Sequence, residues 1–106
     1  MEVKQELINS WQVIKVFGEI DSKTVTTLRT FLDEKLVENK AVALDLSGVP
    51  FMSSAGLRTI LILQRKISEM KVDLALVGVS EEIQDTMRVT GFLQHFKLYE
   101  AIKSLP

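Results

Sequence analysis

A chain of 106 residues, 46% hydrophobic and 25% charged, has the length of one domain and enough apolar content to bury a core without staples. Its 13 basic and 14 acidic residues leave a net charge of -1, which excludes the basic excess of a nucleic-acid binder. With no cysteine there are no disulfides, thiolate nucleophiles or cysteine metal sites, and the longest apolar run, Ile60 to Leu63, is far too short to cross a bilayer.

The N-terminal stretch Met1 to Glu6 lacks a signal-peptide core. The expectation is one soluble, cytoplasmic domain over residues 1–106, a monomer by default, with no membrane insertion. Val3 to Ile8 is a strand candidate ending in Asn9-Ser10, and Trp11 to Phe17 is a second. In the second, Trp11, Val13, Val16 and Phe17 are apolar, Gln12 and Lys15 lie between, and Trp11 is expected half exposed. Asn-Ser between two strands predicts a hairpin, hence an antiparallel pair. Past Gly18-Glu19-Ile20-Asp21, either Asp21 or Ser22 can cap a helix with the apolar stripe Val25, Leu28, Phe31, Leu32 and Leu36. Ala41 to Leu46 is short and apolar, the pattern of a central, parallel, buried strand. Ser47 to Pro50 is expected as a loop, because Pro50 pushes Val49 out of helical geometry.

A helix is then predicted from Ser53 or Ser54 to Met70, with Leu57, Ile60, Leu61, Leu63 and Ile67 on its apolar side. Val72 to Val77 is a strand candidate. Ser80 caps a third helix whose first turn carries Glu81 and Glu82, complementing the helix dipole, and Gly91 ends it. A last strand spans Phe96 to Tyr99, followed by a short turn. Alternating strands and helices imply an α/β fold with a mixed, mostly parallel β-sheet, an antiparallel edge strand and packed α-helices. Functional loops in such sheets lie past the carboxyl ends of the strands, here Gly18 to Ser22 and Ser47 to Gly56.

The second of these loops carries the chemistry. A buried strand leads through Phe51-Met52 into Ser53-Ser54 and a helix start, where unpaired amides and a positive partial charge welcome an anion. Phosphate added there brings about -1.5 to -2 charge. Arg58 stands one turn past Ser54, and Gly56 leaves room for close approach. The plainer reading makes Ser53 an N-cap, Ser54 a solvated first-turn residue and Asp21 an N-cap. Catalysis is not indicated: the glycine-x-serine-x-glycine pattern is absent around both serines, and the one histidine, His95, lies in a C-terminal segment. Walker and dinucleotide-binding loops are absent too, so no cofactor or metal is expected.

Phe51-Met52-Ser53-Ser54-Ala55-Gly56-Leu57 resembles the phosphoacceptor loop of the STAS family, the domain named for sulfate transporters and anti-sigma factor antagonists. Aligned on Gly56-Leu57, the family's phosphorylated serine falls on Ser54, with Ser53 as the neighbouring alternative. Gly18-Glu19-Ile20-Asp21 is similar to the family's turn before its first helix. Asp45 to Val49 is similar to its central strand and exit, and Val89 to Phe92 with Phe96 to Tyr99 to its C-terminal signature. Ser53 stands where many members have aspartate, and Ala55 where they have a second serine.

The resemblance implies a small single STAS domain that acts as an anti-sigma factor antagonist. Unphosphorylated, it would bind an anti-sigma factor that is itself a serine kinase of the histidine-kinase-like ATPase fold. Phosphorylation of Ser54 would release it, and a PPM-type serine phosphatase would reset it. The implied partner surface is Asp21, Ser53, Ser54, Gly56 and Arg58, with Gly18 supporting the turn. The alternative within the family is a scaffold subunit of a stress-sensing complex or an accessory subunit of a lipid or anion transport system.

Overall fold

Strands β1 (Glu2–Ile8) and β2 (Trp11–Phe17) form the expected hairpin in the computed structural model, which describes residues 1–106. Asn9 turns the chain with φ 56°, a left-handed conformation that asparagine tolerates better than most residues. The chain continues through α1 (Val25–Lys35), β3 (Ala41–Gly48), α2 (Ser54–Glu69), β4 (Leu74–Val77), α3 (Glu81–Val89) and β5 (Lys97–Tyr99), with 3-10 turns at Leu93–His95 and Ile102–Ser104. The sheet order is β1-β2-β3-β4-β5; β1 and β2 are antiparallel and every other pair is parallel. The α/β class, the mixed sheet and the central position of β3 match the expectation.

Period-2 alternation sends the two faces of the sheet to two different cores. Ile14 and Val16 of β2, Val42, Leu44 and Leu46 of β3, and Leu74 and Leu76 of β4 pack with the buried faces of all three helices. The helices therefore cover one side. On the opposite side Trp11, Val13, Ala43, Ala75 and Val77 pack against Tyr99, Ile102 and Leu105 of the last residues. The Trp11 indole nitrogen donates to the Pro106 carbonyl oxygen at 3.0 Å. Trp11 is 5% exposed, not half exposed, because this terminal segment lies over it.

Gln12 also departs from its local pattern. Between apolar neighbours it suggests a solvent-facing position, yet it is fully buried among the core-facing residues of β2. Its side-chain amide donates to the carbonyls of Val37 at 2.7 Å and Lys40 at 3.0 Å, and accepts from the Val37 N–H at 2.9 Å. Burial of an amide is tolerated when it is bonded in this way. Gln12 thus pins the turn that connects α1 to β3.

Three boundaries differ from the sequence reading by two residues or more, the others by one at most. Ser47 and Gly48, expected in a loop, extend β3, since Gly48 still pairs with Phe17 across a register shift. β4 begins at Leu74 and not at Val72. α1 begins one turn after Asp21. Ser80 does cap α3, accepting from the Ile83 N–H at 3.2 Å. Gly91 ends that helix at φ 79°, with the Phe92 N–H returning to the Met87 carbonyl at 2.8 Å, the bond pattern that releases a helix through a left-handed residue.

Candidate functional site

Because β2 and β3 are parallel neighbours, their carboxyl ends emerge side by side, and the segments after them run together. Backbone bonds join the two. The Gly18 N–H donates to the Gly48 carbonyl at 3.0 Å, Ile20 N–H to Phe51 at 3.0 Å, and Ser53 N–H to Ile20 at 2.8 Å. Ile20 and Met52 form a parallel bridge and both are buried. The first loop and the serine loop are therefore one framework, from which α2 departs.

Asp21 sits at the outer turn of that framework. Its carboxylate accepts from the Lys23 N–H at 2.9 Å and the Thr24 N–H at 3.1 Å, and its own N–H donates to the Thr24 hydroxyl at 2.9 Å. This reciprocal box closes a turn just before α1, whose first-turn flank is Thr24 and not Asp21. The bonds from Lys23 and Thr24 hold the Asp21 carboxyl below the usual aspartate range. A pKa lowered in the folded state means that the stabilisation is complete above the unfolded value. It is lost as pH falls through the lower, folded value. A carbon-detected NMR titration is expected to show Asp21 protonating at lower pH than aspartate in an unstructured peptide. A midpoint at or above the peptide's would show that the box does not hold.

The two serines have separate positions. Ser53 is the N-cap of α2, with extended backbone, and its hydroxyl oxygen accepts from the Gly56 N–H at 3.2 Å. Ser54 is the first helical residue and is exposed. Arg58 is exposed one turn along the same helix. Gly56 is buried, and a Cβ there would lie 2.8 Å from Ile20 Cγ2 and 2.8 Å from Met52 Cγ. The absence of a side chain lets the helix start lie flat on the bridged loops. Asp21, Ser53, Ser54, Gly56 and Arg58 therefore belong to a single structural unit.

Phe51 was not singled out from the sequence, although it is an aromatic residue two positions before a cap. The residue is 50% exposed, while its carbonyl accepts from the Ile20 N–H. An exposed aromatic on a hydrogen-bonded backbone is the kind of residue that can anchor a partner. His95 is exposed in the first 3-10 turn and lines a depression with Gln64, Asp73 and Lys97, none of which belongs to the bridged loops. No cluster of three or more His, Asp or Glu side chains is placed to hold a metal ion. No helix is long and apolar enough to cross a membrane.

A family model described as STAS domain matches residues 2–105. The anti-sigma-F factor antagonist RsfB of Mycobacterium tuberculosis is 27% identical over 95 residues, spanning 89% of this chain and 77% of that protein. An anti-sigma factor antagonist from Mycobacterium paratuberculosis shares the fold with TM-score 0.85 at 24% identity, over 96% of this chain and 87% of the other. The anti-sigma factor antagonist SpoIIAA of Bacillus, in its unphosphorylated form, shares it with TM-score 0.69 at 19% identity, over 96% and 91%. SpoIIAA in its phosphorylated form gives TM-score 0.62 at 17% identity, over 93% and 92%.

Proposed function

This chain belongs to the STAS domain family, and on that footing we propose that it is a cytoplasmic anti-sigma factor antagonist that changes partners through phosphorylation of Ser54. Unphosphorylated, the bridged loops and the start of α2 bind an anti-sigma factor with serine-kinase activity. Transfer of phosphate to Ser54 ends the complex, and a serine phosphatase restores the binding form. The chain is a substrate of that chemistry and does not catalyse it. The names of its relatives support the antagonist role, and the phosphorylated form of SpoIIAA supports the modification.

The observation that carries the choice of residue is the division of labour between the two serines. The Ser53 oxygen is occupied by the Gly56 amide. Ser54 faces solvent at the first residue of a 16-residue helix. A phosphate on Ser54 meets the positive end of that helix, so the fold accepts it and the change falls on the surface. There it adds about -1.5 to -2 charge to a patch that must be desolvated when a partner binds, which weakens the complex.

Peptide-resolved mass spectrometry after incubation with ATP and an anti-sigma serine kinase tests the assignment. One phosphate on Ser54 is expected, and none in Ser54→Ala, whose melting temperature should match that of the parent protein. A labelled Ser54→Ala protein would move the site to Ser53 or elsewhere. Ser53→Ala is expected to lose about 1 kcal/mol of stability with its cap while Ser54 is still labelled. Ser54→Asp is expected to weaken kinase binding by about tenfold or more; an unchanged dissociation constant in titration calorimetry would count against an electrostatic switch.

A further inference from the structure

We infer that the free edge of β1 pairs with the β1 edge of a second copy of this chain, joining two sheets across a two-fold axis at Gln5. β1 ends the sheet and pairs on one side only, with β2. Strand parity determines which of its backbone groups are left over. The pair flanking a two-residue turn exchanges both backbone bonds, so Ile8 bonds Trp11, and by alternation Glu6, Lys4 and Glu2 also face β2. The N–H and C=O groups of Val3, Gln5 and Leu7 therefore point away from the sheet. A row of this kind is a template for another strand.

The side chains decide which strand fits. Charges on an edge ordinarily deter pairing, but they deter a second copy only where like charges meet. Antiparallel pairing of Glu2–Ile8 with itself, centred on Gln5, overlaps all 7 residues of the strand. It sets Gln5 against Gln5, Val3 against Leu7, and Lys4 against Glu6. The Gln5 and Val3–Leu7 pairs are those with outward backbone groups, so each exchanges two hydrogen bonds. The Lys4–Glu6 pairs are of opposite sign.

Within one chain Lys4 already stands 3.8 Å from Glu2, and Glu6 2.9 Å from Lys15. Lys15 of the same chain lies opposite Lys4, and pairing sets the Glu6 carboxylate of the second copy on the other side of Lys4, linking Glu2, Lys4, then Glu6 and Lys15 of the second copy by contacts of opposite sign. Moving the axis to Lys4 sets Lys4 on Lys4 and Glu2 on Glu6, and moving it to Glu6 sets Glu6 on itself. Both registers are repulsive.

Apolar exposure follows the same edge. Leu7 is 62% exposed and Val37 48% exposed. Gln12, the residue opposite Leu7, holds the Val37 backbone. In the Gln5-centred register Leu7 gains Val3 of the second copy as its cross-strand neighbour. A strand-to-strand contact is smaller than a standard interface, so the dimer is concentration-dependent, with a dissociation constant on the order of 100 µM.

Sedimentation equilibrium of the whole chain up to about 1 mM is expected to show monomer converting to dimer. Lys4→Glu sets a carboxylate against Glu6 at both symmetric positions and should weaken association about tenfold or more. Combining Lys4→Glu with Glu6→Lys restores attraction with the signs exchanged and should bring most of that affinity back. Thermal melts establish that each variant is folded. A wild-type protein that stays monomeric throughout, or a Lys4→Glu protein that dimerises as tightly as wild type, would overturn the proposal. A folded double variant without recovery would overturn the Gln5-centred register.

Discussion

Gly56→Ala is expected to destabilise the protein by about 1–3 kcal/mol, against the general rule for helices. Inside an ordinary helix, alanine is favoured over glycine by about 1 kcal/mol. At Gly56 the added Cβ would lie 2.8 Å from Ile20 Cγ2 and Met52 Cγ, and 2.9 Å from the Ile20 carbonyl oxygen. A side-chain tip can yield; this backbone cannot do so freely. The Ile20 N–H is bonded to Phe51 and its carbonyl to the Ser53 N–H, so relief means breaking the bridge that joins the two loops. The same displacement would tilt the start of α2, and with it Ser54 and Arg58. Urea unfolding checks the sign of the stability change. If the proposed anti-sigma factor is the partner, its binding should fall by more than the stability loss explains, because the folded variant presents a shifted surface. A variant as stable as the parent protein would show that the loops give way without cost.

Gln12→Met is the second large effect, a loss of about 2–4 kcal/mol. Methionine has similar length and flexibility, so the volume is kept and the hydrogen bonds are removed. Two carbonyls, Val37 and Lys40, and two donors, the Val37 N–H and the Gln5 side-chain amide, lose a partner, though Gln5 keeps its second bond to the Lys35 carbonyl. Each orphaned buried group costs about 1–3 kcal/mol. Val37 lies on an exposed stretch, so water takes up part of the deficit once the turn loosens, which keeps the total below the simple sum. Denaturant unfolding should give a lower midpoint with an unchanged slope. Hydrogen exchange should accelerate first at Val37. A loss under about 1 kcal/mol would mean that the turn is held by other contacts.

These two residues also mark where the sequence was legible and where it was not. The hairpin could be read because Asn9-Ser10 separates two strand patterns within a few residues. The cap at Ser80 and the stop at Gly91 were equally local. Gln12 was opaque because the backbone groups that satisfy it lie 25 and 28 residues away, and its nearer partner, Gln5, is itself a polar residue on an edge strand. Nothing near it in the chain distinguishes a buried, bonded amide from a solvated one. Trp11 was misjudged for the same reason, since the residues that cover it come from the far end of the chain. At the candidate site the residue types pointed to the loop, and the plainer reading of Ser53 as the cap and Ser54 as a solvated first-turn residue agrees with where α2 begins. The proximity of Asp21 to that loop depended on β2 and β3 being neighbours in the sheet. Phe51 was visible as a residue, but its exposure became visible only after Met52 beside it had turned inward.

The indole bond to Pro106 gives this molecule an optical reporter of its own. Trp11 is the only tryptophan in the chain, and its dry surroundings are supplied in part by the last turn of residues. Peeling that turn away would wet the ring and move its emission toward longer wavelength while the sheet and helices stay intact. Whole-molecule unfolding would change emission and far-ultraviolet circular dichroism together. Following both signals along one denaturation series would therefore separate release of the terminal segment from collapse of the domain, without attaching a label.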